Sequence, residues 1–217
     1  MTNRGIPIYA ISGLGADGSA FRNLRIQGHY IVHLPWIEPL KKESLKDYTK
    51  RLTTEIRDSQ PIFLGLSFGG LVACEAAGIF NSQKLLLISV PLSKNERAWF
   101  FKMLSKWSFH KLLPPALIKS VFLLSLQFLA PMKYRHLDIL KQMLNKMSGT
   151  YYSWALNMLS SQRVKIPKIS VKRWHGERDL FIPKPGKETI VIPNAGHLMI
   201  LTHGRVLSRQ ISQFLNH

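Results

Sequence analysis

Cysteine is almost missing from this chain: Cys74 is the single thiol among 217 residues. One cysteine excludes an internal disulfide framework and any multi-cysteine metal centre. It lies in an alanine-rich helical run and reads as a small packing residue rather than a reactive thiol. The eight histidines show no ligand spacing, so no metal is implied, and no organic cofactor is expected. Acidic residues are also scarce, 12 against 30 lysines and arginines, for a formal net charge of +18. Such a balance can attract nucleic acid, anionic membranes or acidic ligands. Yet the lysines are dispersed, and no helix-turn-helix, zinc-finger or RNP-like signature accompanies them. No specific nucleic-acid partner is expected, and a solvated basic surface on an enzyme fits better.

Long hydrophobic runs are absent too. The longest, residues 121–130, is broken by Ser125 and Gln127 and is too short to span a bilayer. Residues 1–5 pass directly into a strand-like run, with no apolar segment ending in a small-residue cleavage site. A cytoplasmic protein without a secretory leader is the expectation. There are no internal repeats or low-complexity tracts, and a hydrophobic content of 46% suits one sizeable domain with its own core.

What is present centres on Gly65-Leu66-Ser67-Phe68-Gly69-Gly70, between the apolar run Pro61–Leu64 and the helix-forming run Leu71–Ala77. A G-x-S-x-G between a strand and a helix is a nucleophile elbow. The serine occupies a sharp turn, and glycines two residues to either side remove collisions with neighbouring backbone. Its hydroxyl is then presented above a helix amino terminus, whose free N–H groups favour developing negative charge.

Along the chain, Ile6–Ile11 reads as the first strand, followed by the glycine-rich turn Ser12-Gly13-Leu14-Gly15-Ala16-Asp17-Gly18. The turn fits G-x-G-x-x-G, but no acidic residue ends a second strand about twenty residues on, as a dinucleotide site requires. Tyr30–Leu34 runs into Pro35-Trp36 instead, so a loop supplying half of an oxyanion hole is the better reading. Leu14 is the expected donor, since it follows the strand-end Ser12-Gly13 pair. Glu43–Arg57 is expected as a helix with Ser44 at its N-cap and Leu45, Tyr48, Leu52 and Ile56 in a stripe. Lys84–Val90 is a continuous apolar strand of the kind buried on both faces of a parallel sheet. Residues 91–162, rich in Leu, Phe, Trp, Met and Lys and broken at Pro114-Pro115 and Pro131, are expected as a helical lid inserted in a core of residues 1–90 and 163–217. The lid carries much of the basic charge, so weak association with an anionic surface is one expectation and ordinary solvated lysines the other. Ile169–Trp174 and Thr189–Ile192 complete the strands, and Arg205–Leu215 closes the chain as a helix with Val206, Leu207, Ile211 and Leu215 on one side. The whole reads as an α/β fold, a mostly parallel sheet of about six strands with helices on both faces.

Three residue types then stand in a telling order: Ser67, Asp179 in His175-Gly176-Glu177-Arg178-Asp179, and His197 in Asn194-Ala195-Gly196-His197. With Ser12-Gly13-Leu14-Gly15 upstream, the chain resembles a small α/β-hydrolase, and the matching pieces span nearly its whole length. The resemblance implies Ser67 as nucleophile, His197 as general base and acid, and Asp179 as the group orienting the imidazole. It implies oxyanion donors at the backbone N–H groups of Phe68 and Leu14. Glu96, soon after the preceding strand, is a second candidate acid, because some relatives place the acid there. Asp17 reads as a turn residue of its own loop, Glu177 as outward-pointing, and His175 as packing under the acid turn. His29, His33, His110, His136, His203 and His217 receive no role. Two departures from the family pattern stand out. The usual antiparallel entry strands are not seen, and the segment between Asp179 and His197 is too short and Pro/Gly-rich for its usual helix. The smaller sheet opens an edge that favours dimerisation, so a monomer or a homodimer is expected.

The function implied is a serine hydrolase cleaving a carboxylic ester of small to medium acyl chain, or a thioester, through an acyl-enzyme. The alternatives are a lyase or C–C bond-cleaving member of the same fold, and a receptor-like protein that uses the pocket for ligand recognition.

Overall fold

The computed structural model describes residues 5–96, 146–161, 165–183, 185–186 and 188–216, together with positions 114, 117, 120 and 142. Six strands, β1 (Ile6–Ile11), β2 (His29–His33), β3 (Ile62–Leu66), β4 (Lys84–Ile88), β5 (Ser170–Gly176) and β6 (Thr189–Ile192), form one sheet in the order β2-β1-β3-β4-β5-β6. Every pair is parallel. Apart from Lys84, all side chains of β3 and β4 are buried. Successive strand side chains point to opposite faces, so both faces of the sheet centre are covered. The chain leaves β1 toward β2 and returns on its other side as β3. The carboxyl ends of β1 and β3 therefore flank the switch point, where open α/β sheets place their ligands.

Helix α1 (Leu45–Leu52) starts as its sequence dictates: the Ser44 hydroxyl accepts the Asp47 N–H at 3.1 Å. It is shorter than the Glu43–Arg57 expected. The hydroxyls of Thr49 and Thr53 donate back to the Leu45 and Thr49 carbonyls at 2.7 and 2.8 Å. Such back-bonding competes with the helix ladder, and two β-branched residues in succession end the element. Ile56 stays buried in the turn that follows. Glu43 lies outside the helix, where both carboxylate oxygens take Arg51 at 2.7 and 2.9 Å.

Helix α2 (Gly69–Ile79) is buried along most of its length, which accounts for a sequence that is apolar or glycine except at the half-buried Glu75. Cys74 sits inside it, and burial pushes its thiol up to about 12. The residue after β4 is Ser89, with φ at +52°, so that strand stops before the Val90 expected at its end.

Helix α3 (Gly149–Ser161) belongs to the span expected as a lid; most of residues 91–145 lies outside the described residues. A short helix, α4 (Met199–Thr202), leads into α5 (Gly204–Leu215). The buried side of α5 carries Gly204, Leu207, Ser208 and Ile211, whereas Val206 is 42% exposed. Val206 was expected on the buried side, but consecutive helical residues lie about 100° apart, and Leu207 takes the inward position. Lys84 of β4 caps the far end of α5, its ammonium donating to the Phe214 and Leu215 carbonyls at 2.9 and 3.0 Å. Among the described residues, no helix is long and apolar enough to cross a membrane.

The seating of α2 on the sheet makes a sharp test. A Cβ on Gly70 would lie 2.2 Å from Cγ2 of Val90. Gly70→Ala is expected to cost about 1–3 kcal/mol despite its better helix propensity. Combined with Val90→Ala, the pair should couple favourably by about 1 kcal/mol or more in denaturant titrations. Simple additivity would show that the contact does not limit the packing.

Candidate active site

The elbow follows directly from how close α2 comes to the sheet. A Cβ on Gly65 would be 2.4 Å from Cα of Gly70, and one on Gly69 would be 2.2 Å from the Ser12 carbonyl oxygen. No other residue fits at either place. Between them Ser67 takes φ of +50°, a conformation costly for a non-glycine residue and held here by its neighbours. Its N–H donates to the Ile88 carbonyl at 2.9 Å, and its carbonyl accepts the Gly70 N–H at 3.0 Å.

Ser67, His197 and Asp179 are brought together from three separate loops. The Ser67 Oγ lies 2.9 Å from Nε2 of His197, and Nδ1 of His197 lies 2.7 Å from Oδ2 of Asp179. The other carboxylate oxygen accepts the N–H groups of Phe181 and Ile182 at 2.9 and 3.1 Å. The two loops are stitched to each other. Arg178 N–H donates to the Ala195 carbonyl at 2.8 Å, and Asn194 N–H to the Glu177 carboxylate at 2.8 Å. Glu177 is exposed, as expected.

Asp179 is 3% exposed. Burial alone would raise its carboxyl, but the charge and hydrogen bond of His197, then His175 and the Ile182 N–H, hold it below the usual carboxylate range. It is an ionised acceptor aimed at Nδ1. His175 lies beneath the turn with Nε2 2.8 Å from the Ile182 carbonyl oxygen and 3.5 Å from Asp179. Glu96 does not reach the histidine. It pairs with Arg173 at 2.7 Å and accepts the Leu92 N–H at 3.0 Å, tying the segment after β4 to β5.

On the other side of Ser67 the β1 loop curls back, with Ala16 N–H donating to the Gly13 carbonyl at 3.0 Å. Ser12 is fully buried and its hydroxyl donates to the Ala16 carbonyl at 2.6 Å. Nε2 of His33 lies 3.3 Å from the Ser12 Oγ. Asp17 caps the next turn by accepting the Ser19 N–H at 3.0 Å and pairs with Lys146 at 2.8 Å, so it serves the loop. A Cβ on Gly13 would stand 3.6 Å from Cβ of Ser67, which places this loop against the elbow. Among the described residues, neither the Leu14 N–H nor the Phe68 N–H donates to a protein acceptor. Two unused donors thus flank the serine, Leu14 from the β1 loop and Phe68 from the start of α2.

Sequence reasoning missed an aromatic wall behind these donors. Trp36 stacks on Phe68 with ring centroids 5.4 Å apart and donates through Nε1 to the Gly13 carbonyl at 3.1 Å. Tyr151 and Trp154 of α3 pack against it, and the Tyr151 hydroxyl accepts the Gly15 N–H at 3.3 Å. Only the neighbouring Pro35-Trp36 pair hinted at this, since a tryptophan just past a strand end faces the crevice side of the sheet. Among the described residues, no group of His, Cys, Asp and Glu could hold a metal ion.

A parallel sheet with a strained serine at its switch point, bonded to a histidine that is bonded in turn to a buried acid, the three following one another along the chain as serine, acid and histidine, defines an α/β-hydrolase-type protein. The alpha/beta hydrolase family profile matches residues 3–209, and the chain belongs to that family. Its fold is similar to the enol-lactonase from Burkholderia xenovorans LB400, at 15% identity and TM-score 0.71, covering 99% of this chain and 92% of that one. It is similar to a thermophilic esterase from Thermogutta terrifontis, at 15% identity and TM-score 0.63, covering 98% and 90%. It is also similar to the bromoperoxidase from Bacillus anthracis, at 13% identity and TM-score 0.72, covering 98% and 92%. No sequence among the curated proteins matches the chain.

The buried histidines of the site region give a pH dependence. Burial holds both His175 and His33 below the ordinary histidine range, against the attraction of Asp179 and Asp17 respectively. Below about pH 6.5 the unfolded chain binds these protons before the folded one does, so stability falls on acidification, by at most about 1.4 kcal/mol per pH unit per histidine. The urea midpoint should drop between pH 7 and 5. The drop should be smaller in His175→Gln, whose amide can still donate to Ile182. Equal drops in both proteins would remove His175 as a contributor.

Proposed function

We propose that the protein is a serine hydrolase that cleaves carboxylic esters of small to medium acyl chain, or thioesters, through an acyl-enzyme on Ser67. One observation carries the reading: an unbroken hydrogen-bonded chain from Ser67 through His197 to Asp179, beside two backbone donors that have no protein acceptor among the described residues. The hydroxyl proton passes to Nε2 of His197 as the Oγ–acyl bond forms. Asp179 holds the Nδ1–H tautomer and stabilises the imidazolium. The Phe68 and Leu14 N–H groups take the oxyanion, each worth roughly 3 kcal/mol of transition-state stabilisation in comparable sites. His197 then protonates the leaving alkoxide or thiolate. Water, deprotonated by the same nitrogen, releases the acid and restores Ser67.

Esterase and lactonase activities among the fold's relatives agree with acyl transfer from an oxygen leaving group. The test is fluorophosphonate labelling read by intact mass, followed by a p-nitrophenyl ester chain-length series. Wild type should gain one adduct, which Ser67→Ala should not. Turnover should fall by about four orders of magnitude or more in Ser67→Ala, and by about four in Asp179→Asn, through the wrong tautomer. A folded wild type that takes no label and turns over no ester would rule the reading out.

A further inference from the structure

Along the free edge of the sheet, between β2 and the loop that joins it to β1, runs an open cavity of about 600 Å³. None of Ser67, Asp179 and His197 lines it. Phe21, Leu24 and Ile26 form its apolar wall, and their side chains are buried. Arg22 and Arg25 also line it and are exposed. The wall is held by α4 and α5. The Asn23 amide donates to the Leu201 carbonyl at 2.7 Å, and the N–H groups of Arg25 and Gln27 donate to the Ser208 and Ser212 hydroxyls at 2.9 and 3.1 Å. The cavity is therefore preformed, and its volume is that of ligand clefts.

The strand beside it has main-chain hydrogen bonds to spare. The Gly28 carbonyl accepts the Ile6 N–H at 2.8 Å, and the Leu34 N–H donates to the Ala10 carbonyl at 3.0 Å. A parallel ladder engages every second residue of a strand, so Tyr30 and Val32 face β1 while His29, Ile31 and His33 direct their main-chain groups off the sheet. The His29 N–H turns back to the Ile26 carbonyl at 3.1 Å. Among the described residues, the N–H and carbonyl groups of Ile31 and His33 meet no partner. Folded proteins blunt open edges with lysine, proline or a bulge. β2 reads His-Tyr-Ile-Val-His and keeps an unbroken register with β1, so it has none of these. Tyr30 adds an aromatic side chain that is 47% exposed.

Charge selects what can pair there. Arg25 donates through one nitrogen to the Arg22 and Leu24 carbonyls at 2.8 Å, and among the described residues neither arginine has a carboxylate partner. No acidic side chain lines the cavity. Asp17, next to Gly18 of the lining, is committed to Lys146 and Ser19. A second copy of the chain pairing antiparallel through β2 would keep both connecting loops on one face of the joined sheet. The arginines of the two copies would then crowd together without an acid between them, and like charges so opposed disfavour association.

The geometry points to a strand-addition site for an extended acidic segment of another protein. Its main chain pairs with Ile31 and His33 as a seventh strand, its apolar side chains enter the cavity, and its carboxylates meet Arg22 and Arg25. The inference is independent of the reading of Ser67.

The probe is a fluorescent octapeptide whose odd positions alternate glutamate and valine and whose even positions are threonine, so that glutamate and valine share one face of the strand. Its binding is read by anisotropy, against a twin with lysine in place of glutamate. The glutamate peptide should bind and the lysine twin should not. Alternate amides face β2, so N-methylation of one alternate set should weaken binding by about 10-fold or more, while the other set is tolerated. Bound peptide should slow amide exchange at Ile31 and His33 by about 10-fold or more. The double variant Arg22→Glu/Arg25→Glu should bind at least about 10-fold more weakly with an unchanged melting midpoint. The methylation and exchange arms use the wild type and stand even if that variant is unstable. No binding of the glutamate peptide, or equal binding of both methylated forms, overturns the proposal. Tighter binding of oligothymidylate would assign the patch to nucleic acid. A dimer whose Ile31 and His33 amides are already protected in the free protein would assign the edge to a second copy. Either result also overturns it.

Discussion

Backbone-to-backbone approach at the elbow governs the rest of the molecule. Helix α2 starts so near β1 and β3 that Gly65 and Gly69 have no room for a Cβ. This crowding drives Ser67 into positive φ, because the chain must reverse from strand to helix within a few residues. The same crowding sets the serine at the start of α2, where among the described residues the Phe68 N–H has no protein acceptor. The strain at Ser67 and the placing of its hydroxyl at the start of α2 are therefore two results of one packing constraint. The neighbouring strands hold it in place, with Ser67 bonded across to Ile88 and Gly13 standing against the serine from β1.

Few carboxylates are available to this basic chain, and the buried ones are placed with care. Among the described residues, Glu43, Glu96 and Asp179 are the buried acids, and each faces a cationic or imidazole partner. Glu43 with Arg51 fixes the approach to α1, Glu96 with Arg173 fixes the exit from β4, and Asp179 with His197 forms the polar end of the site. Removing one partner of such a pair leaves an uncompensated buried charge, which costs far more than the pair itself contributes. Among the described residues, net positive charge is thus a property of the surface, while the interior stays close to electrically balanced.

The sheet was legible because its strands are short apolar runs bounded by glycine, proline and polar turns, and a parallel sheet demands such runs. Ser67, Asp179 and His197 were legible as a set because each ends a strand in a recognisable loop. The choice between Asp179 and Glu96 was not decidable from spacing. It depended on Arg173, which sits on β5 and takes Glu96 for itself. The end of α1 was misjudged because threonine hydroxyls redirected the backbone locally, against a stripe of apolar residues that continues to Ile56. Tyr151 was invisible for another reason. Its contact with Gly15 spans 136 residues of chain, and no periodicity or motif encodes a pairing of that kind.

Cys74 has a consequence unrelated to chemistry at the site. As the sole thiol, buried in the helix that carries the elbow and deprotonated only near pH 12, it is invisible to alkylating reagents while α2 remains seated. Its rate of modification is therefore a clock for how often that helix lifts from the sheet. The protein carries, without any engineering, a reporter of local opening at the element on which its strained serine depends.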